Sequence, residues 1–248
     1  MSALEVRNLT RSFGALRVTR DVTLAVEKGA RTALIGPNGA GKTTLVNLIT
    51  GALRPDSGQV LLDGRDISRL DQPARARLGL VRTFQITRLF KPLSVEENIR
   101  IAVLNRLGHQ GRLALGREEE RRVDEAVAET LATVRMQDRA RSTIAGLAYG
   151  EQRLVELALA LALKPKVLLL DEPAAGVPQS ESHVIMSAIA QLPGDLAVVF
   201  IEHDMDLVFR FARRIVVLVG GAVFTEGAPA EVAADEEIKR IYFGEVAP

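Results

Sequence analysis

Cysteine is absent from all 248 residues, which excludes disulfides, cysteine-ligated zinc, iron–sulfur clusters and thiol nucleophiles. That composition leads us to expect a reducing, intracellular setting. An excess of one charge is lacking too: 32 Lys+Arg face 31 Asp+Glu, a net charge of +1. The usual electrostatic warrant for a dedicated nucleic-acid binder is therefore missing, and no nucleic-acid partner is expected. Long apolar runs are missing as well. The best two, residues 154–163 and 215–224, are broken by Glu156 and by Gly220 and Gly221. Both fall short of the roughly 18–20 apolar residues that span a bilayer. The opening Met1-Ser-Ala-Leu-Glu-Val-Arg7 lacks the basic-then-apolar pattern of a secretory signal. The expectation is a chain that does not enter a membrane by itself but can sit against one. No internal repeat or low-complexity linker is found.

What is present is ordinary for a soluble globular enzyme: 47% hydrophobic and 25% charged residues, in a length that suits one large domain or two lobes around one site. Apolar periodicity predicts strands at 4–8, 22–26, 31–35, 59–62 and 80–83, with a turn at Arg54-Pro-Asp-Ser-Gly58. A helix is expected over 42–50. From Ser94 to about Asp138 the pattern turns helical and charge-rich, and Arg117-Glu-Glu-Glu-Arg-Arg122 reads as a solvated face. Beyond Gly150, helices at 151–163, 180–191 and 205–212 alternate with strands at 167–170, 196–201, 215–219 and 222–225, and 229–243 is mostly helical. Strands alternating with helices point to a parallel sheet in an α/β core. The stretch 94–144 interrupts that alternation and reads as a helical insert.

Gly36-Pro-Asn-Gly-Ala-Gly-Lys-Thr43 matches G-x-x-x-x-G-K-[ST], preceded by an apolar strand and followed by a helix. Gly36, Gly39 and Gly41 let successive N–H groups turn inward toward phosphate oxygens, and the helix start adds its positive dipole end. Lys42 is expected to reach the β- and γ-phosphates and the Thr43 hydroxyl to ligate Mg²⁺. The dinucleotide pattern G-x-G-x-x-G is absent, because Thr44 stands three positions after Gly41. None of the five asparagines is followed by lysine, so the Asn-Lys-x-Asp segment of GTPases is missing too. Val167-Leu-Leu-Leu-Asp-Glu172 is an apolar strand that delivers two carboxylates to its carboxyl end, where parallel sheets bind ligands. Asp171 is expected to hold Mg²⁺ through water and Glu172 to polarise the attacking water.

Leu147-Ala-Tyr-Gly-Glu-Gln-Arg153, at the start of a helix, resembles the signature loop of ATP-binding-cassette (ABC) ATPases. Gln85 in Arg82-Thr-Phe-Gln resembles that family's Q-loop, His203 in Ile201-Glu-His-Asp204 its switch histidine, and Phe13 in Arg11-Ser-Phe-Gly14 its adenine-stacking aromatic. His109 and His183 have no motif around them and read as surface residues. The resemblance runs from about residue 4 to 243. It implies a P-loop NTPase α/β fold with a mixed sheet, an antiparallel β subdomain and an inserted helical subdomain. Residues 1–93 and 145–248 would form the nucleotide-binding core with the β subdomain, and 94–144 the helical subdomain leading into the signature. The implied ATP site is Phe13 with Gly36, Pro37, Asn38, Gly39, Ala40, Gly41, Lys42, Thr43 and Thr44. Lys42, Gln85, Glu172 and His203 would be catalytic, and Thr43, Gln85 and Asp171 would serve Mg²⁺. Leu147, Ala148, Tyr149, Gly150 and Glu151 would address the ATP of a partner.

Within the family, Val81-Arg-Thr-Phe-Gln85, Leu147-Ala-Tyr-Gly150, Asp171-Glu-Pro-Ala-Ala-Gly176, Ile201-Glu-His-Asp-Met205 and Ile241-Tyr-Phe-Gly244 resemble ATPase subunits of branched-chain or hydrophobic amino-acid importers. The lipopolysaccharide-export ATPase is similar in Ile238-Lys-Arg-Ile-Tyr-Phe-Gly-Glu245 and ranks second, since it usually keeps Ser-Gly-Gly in its signature. A cytosolic ABC ATPase acting on DNA or ribosomes is disfavoured by the single cassette, the modest insert and the near-neutral charge. The resemblance implies a motor on the cytoplasmic face of the membrane, paired head to tail with a second ABC ATPase. Two transmembrane permease subunits would dock near 85–98, with an extracytoplasmic solute-binding protein as an indirect partner. Two positions depart from the pattern: Ala148 replaces the signature serine, and Pro178 stands where the D-loop normally ends in aspartate. Both suggest an asymmetric working dimer.

Overall fold

The computed structural model describes residues 2–83, 89–109, 111–112 and 114–243. Strands β1 (Ser2–Phe13) and β2 (Leu16–Glu27) form a hairpin and do not enter the parallel sheet. They are longer than their apolar alternation suggests, because the hairpin continues past the buried face into exposed positions near its Gly14 turn. β3 (Arg31–Ile35) is buried at every residue and runs into the phosphate loop, after which α1 (Lys42–Thr50) follows. β4 (Ser57–Leu62) pairs antiparallel with β1, and the short β5 (Arg65–Asp66) closes a sheet of order β2-β1-β4-β5.

The helix α2 (Gln72–Leu78) is not foreseen by the apolar pattern, for its one fully buried side chain is an arginine. Arg75 is 1% exposed and donates to four carbonyls: Leu48 O (2.8 Å), Ile49 O (2.6 Å), Ser68 O (2.8 Å) and Leu70 O (2.9 Å). It thus caps the carboxyl end of α1, where the helix dipole favours a cation. Burial pulls its pKa down to about 10, still far above neutral, so the guanidinium stays charged.

β6 (Leu80–Arg82) returns to the main sheet. Next come α3 (Val95–Arg106), whose first turn is closed by a reciprocal Ser94–Glu97 capping box, and α4 (Arg117–Thr133). Ser94 and Thr143 form an antiparallel bridge, so the chain leaves and rejoins the core at one place. α5 (Tyr149–Ala162), β7 (Val167–Asp171), α6 (Gln179–Ala190), β8 (Ala197–Ile201), α7 (Met205–Phe211), β9 (Arg214–Val219) and β10 (Ala222–Gly227) complete the alternation. The C-terminal helical stretch breaks at Asp235 into α8 (Pro229–Ala234) and α9 (Glu236–Phe243).

The main sheet has the order β10-β9-β3-β8-β7-β6; it is parallel except for β10, so it is mixed. Its central strands are apolar on both faces because both are covered. Leu168, Leu170, Val198 and Phe200 join the core beneath α3–α7, while Val167, Leu169, Ala197 and Val199 join the core shared with α1 and the antiparallel sheet. Order is what builds the site. With β8 between β3 and β7, the segments that follow these strands emerge side by side at one sheet edge, although they are far apart in sequence.

Candidate active site

Residues 38–44, Asp171, Glu172, Ile201 and His203, with Val18 of β2, line a cleft of about 280 Å³ at the carboxyl ends of β3, β7 and β8. A larger cleft of about 630 Å³ lies at the opposite strand ends, lined by Lys28, Asp63, Lys164 and Lys166 among others. It has no phosphate loop, and parallel sheets place their chemistry at the other edge.

Two glycines are demanded by geometry. A Cβ on Gly36 would lie 2.2 Å from Leu218 O, and one on Gly41, whose φ is +96°, would lie 2.7 Å from Val18 O. The loop is therefore wedged between β9 and β2. Lys42 is buried and folds back over the loop, with Nζ donating to Gly36 O (2.5 Å) and Pro37 O (3.1 Å). Burial pulls its pKa below the ordinary lysine value, and the Glu172 carboxylate opposes that shift. Pro37 is half-buried beside Ala40, whereas Asn38, Gly39 and Thr43 are exposed at the cleft and Thr44 is half-buried.

Asp171 ends β7, and its Oδ2 is ion-paired with Arg82 of the neighbouring strand β6. The same guanidinium donates to Asn47 Oδ1 on α1 (2.6 Å). Both charged side chains are nearly buried, 12% and 8% exposed, so Arg82 holds the phosphate-loop helix and the carboxylate strand in one register. In the sequence Arg82 stands out only as part of the string Arg82-Thr-Phe-Gln85. The available signal was an arginine on a short apolar strand, which requires a buried partner.

Glu172 has φ +48°, a left-handed backbone that a glutamate rarely adopts, and its N–H donates to Ile201 O (3.0 Å). The bend turns its carboxylate toward the end of β8, where Oε1 lies 3.0 Å from His203 Nε2. Just before that histidine, Glu202 is buried; burial lifts its pKa above the usual carboxylate value, its two backbone N–H bonds oppose this, and the Glu172 and Asp204 carboxylates add to it. Asp204 caps α7 by accepting from Asp206 N (2.9 Å) and Leu207 N (3.3 Å).

The other expected residues lie elsewhere. Phe13, 46% exposed, stands at the end of the β1–β2 hairpin outside the cleft lining, with the Arg11 guanidinium 5.0 Å from its ring centroid. Gln85 lies outside the described residues. Leu147, Ala148, Tyr149, Gly150 and Glu151 are not part of this cleft. Leu147 is buried, Ala148 is the cap position of α5, and Glu151 reaches back to accept from Ala148 N (2.9 Å) and from Arg139 Nε (2.8 Å). Tyr149 Oη accepts from Arg153 (2.8 Å), and Arg153 also donates to Ala175 O (3.4 Å). The start of α5 is thereby tied to the loop after Glu172. Pro178 is the cap residue of α6. His183 is half-buried beside Phe211, and His109 lies against Arg112 and Glu119 with its side chain 15% exposed; neither lines the cleft.

Thr43 and Asp171 suit a hard divalent cation. Arg82 engages Asp171 Oδ2, and Oδ1 has no hydrogen bond among the described residues. No cluster of three or more His, Asp or Glu that could cage a metal occurs among the described residues. A single carboxylate and a hydroxyl beside a phosphate loop fit Mg²⁺, which keeps waters and takes phosphate oxygens as ligands.

The ABC transporter family profile matches residues 19–175. The chain is 39% identical over 249 residues to the high-affinity branched-chain amino acid transport ATP-binding protein BraF of Pseudomonas aeruginosa, covering 98% of each. It is 35% identical over 250 residues to the corresponding protein LivG of Escherichia coli, again covering 98% of each. Among solved structures, an ATP-binding cassette of an ABC transporter in its ADP conformation aligns with a TM-score of 0.85 and 31% identity, over 99% of this chain and 100% of the other. A bacterial ABC transporter cassette solved as a dimer aligns with a TM-score of 0.73 and 26% identity, over 91% of this chain and 98% of the other.

Proposed function

Because this chain belongs to the ABC transporter family of ATP-binding cassettes, we propose that it is the ATP-hydrolysing motor subunit of an importer for branched-chain or similarly hydrophobic amino acids. The observation that carries this reading is the convergence of Lys42, Thr43, Asp171, Glu172 and His203 on one cleft. The near full-length likeness to BraF and LivG supports the substrate class.

In this reading Lys42 leaves the Gly36 and Pro37 carbonyls for the β- and γ-phosphates, and the N–H groups of residues 38–44 cradle them. Phe13 offers its ring face to adenine from the hairpin. Thr43 and Asp171, with Gln85, would hold Mg²⁺, which when bound neutralises phosphate charge. Glu172 polarises the attacking water, and His203, 3.0 Å away, orients that carboxylate and meets the γ-phosphate.

The exposed start of α5 points to a second cassette. Its N–H groups and dipole end would complete the partner's ATP site across a head-to-tail dimer. Ala148 removes a hydroxyl there and Pro178 removes a carboxylate from the adjoining loop, so a related ATPase with a complete signature is the favoured partner. No helix among the described residues is long and apolar enough to cross a membrane. We place the chain on the cytoplasmic face, held by two permease subunits that serve an extracytoplasmic binding protein. An apolar cleft of about 290 Å³ beside Leu89, Phe90, Ile101 and Leu159 supports a dock between the core and the 94–144 insert, which we read as a helical subdomain.

The test is reconstitution with two permease subunits and a solute-binding protein of the branched-chain amino-acid type. Leucine or valine uptake should require MgATP and vanish with Glu172→Gln. Hydrolysis with no dependence on Glu172, or lipid rather than amino-acid movement, would overturn the reading.

A further inference from the structure

The roles assigned above leave one buried acid unused. Glu202 is 6% exposed, and among the described residues it has no ion pair. Burying a carboxylate is costly unless its oxygens are bonded, and here both are. Oε1 accepts from Ala174 N (3.0 Å) and Oε2 from His203 N (3.2 Å). The two donors belong to different segments: Ala174 lies in the loop between β7 and α6, and His203 in the turn between β8 and α7.

That loop is organised at both ends. Glu172 N is bonded to Ile201 O (3.0 Å), Ala175 N to Glu172 O (3.0 Å) and Val177 N to Ala174 O (3.2 Å). On its outer side Arg153 reaches Ala175 O, and Tyr149 lies against Gly176, where a Cβ would come 3.4 Å from its hydroxyl. A continuous set of contacts therefore runs from the start of α5 through residues 174–176 and Glu202 to His203 and its partner Glu172.

We infer that Glu202 is a positioning residue that locks the 172–178 loop to the His203 turn, so that displacement of the loop by a partner cassette shifts the His203–Glu172 pair. The inference rests on the proposed reading that this pair acts in ATP hydrolysis. A carboxylate is suited to the task because it offers two acceptor oxygens and no donor. Glutamine offers one oxygen and presents an NH₂ to the second N–H, leaving that donor unpaired in a dry site.

The experiment uses the full chain with Glu202→Gln and, as the conservative variant, Glu202→Asp, which keeps both oxygens on a shorter stem. Three quantities are read: the Kd for a fluorescent ATP analogue, kcat with KM, and amide exchange at Ala174 and His203. For Glu202→Gln we expect kcat to fall about tenfold with Kd and KM changed less than about twofold, as for an interaction that matters in the transition state. Exchange should accelerate by about tenfold at one or both of Ala174 and His203, because glutamine keeps a single acceptor oxygen, while the phosphate-loop amides are unaffected. Glu202→Asp should recover part of kcat and of the protection.

Unchanged kcat, or unchanged exchange at both amides, overturns the inference. A uniform rise in exchange across the chain for both variants would show a merely structural role and overturns it equally. If the unaltered chain neither binds nor hydrolyses ATP, it is the proposed function that fails.

Discussion

Replacing Arg75 with methionine tests how far a buried cation, rather than apolar packing, holds the phosphate-loop helix in place. The side chain is enclosed and donates to four carbonyls, two of them in the last turn of α1. Hydrogen bonds from a charged donor are each worth about 1.5–3 kcal/mol, so a naive sum gives about 6–12 kcal/mol. That sum is too large. Leu48 O keeps the Gly51 N–H at 3.3 Å, and water can enter beside a methionine to serve some of the others. Each buried carbonyl left without a donor costs about 1–3 kcal/mol, so with two of the four left unserved we expect about 3–4 kcal/mol here. For a chain of this size that corresponds to a melting point lowered by about 6–16 °C. Arg75→Lys keeps the charge but has a single nitrogen, which cannot serve all four carbonyls, and should fall about midway. The assay is thermal unfolding followed by circular dichroism without nucleotide. ATP affinity should change less than about threefold, because the capped end lies about 12 Å along α1 from Lys42. A melting point for Arg75→Met within about 2 °C of the parent protein would refute the reasoning.

Other outcomes follow from the same geometry. Arg82→Gln strands the Asp171 carboxylate in a nearly dry site and should lower the nucleotide-free melting point, with MgATP restoring more stability than ATP plus EDTA; equal restoration by both would count against Asp171 as the metal-side carboxylate. Lys42→Met should abolish the rise in melting point on adding MgATP. It should also change the alkaline limb of stability. Between the lowered pKa of Lys42 and the ordinary lysine value, the unfolded chain holds a proton that the folded chain has released, so stability gains with rising pH there, and the variant should lose that gain in paired melts across pH 8–11. Glu172→Gln should trap any ATP sandwich this chain can form with itself. An ATP-dependent doubling of mass in light scattering would argue against an obligatory second ATPase, whereas a tight-binding monomer would support one.

Much of this protein is determined locally. The glycine spacing before Lys42, the apolar run ending in Asp171-Glu172, and the histidine after residues 197–201 depend on short-range constraints: backbone φ, strand burial and the exit of a parallel strand toward the binding edge. Such constraints act within a few residues, so they leave a readable pattern. The boundaries of β3 and α1 follow from it directly. Tertiary structure decided what depends on partners distant in sequence. Strand order places β8 between β3 and β7, and that order together with the left-handed bend at Glu172 brings Glu172 and His203 to 3.0 Å. α2 has little apolar period because an arginine fills its buried position and bonds to another helix. Arg82, Glu202 and Arg153 look like ordinary charged residues in the chain. Their roles come from burial beside carboxylates, N–H groups and carbonyls supplied by other elements, and no short-range pattern encodes those contacts.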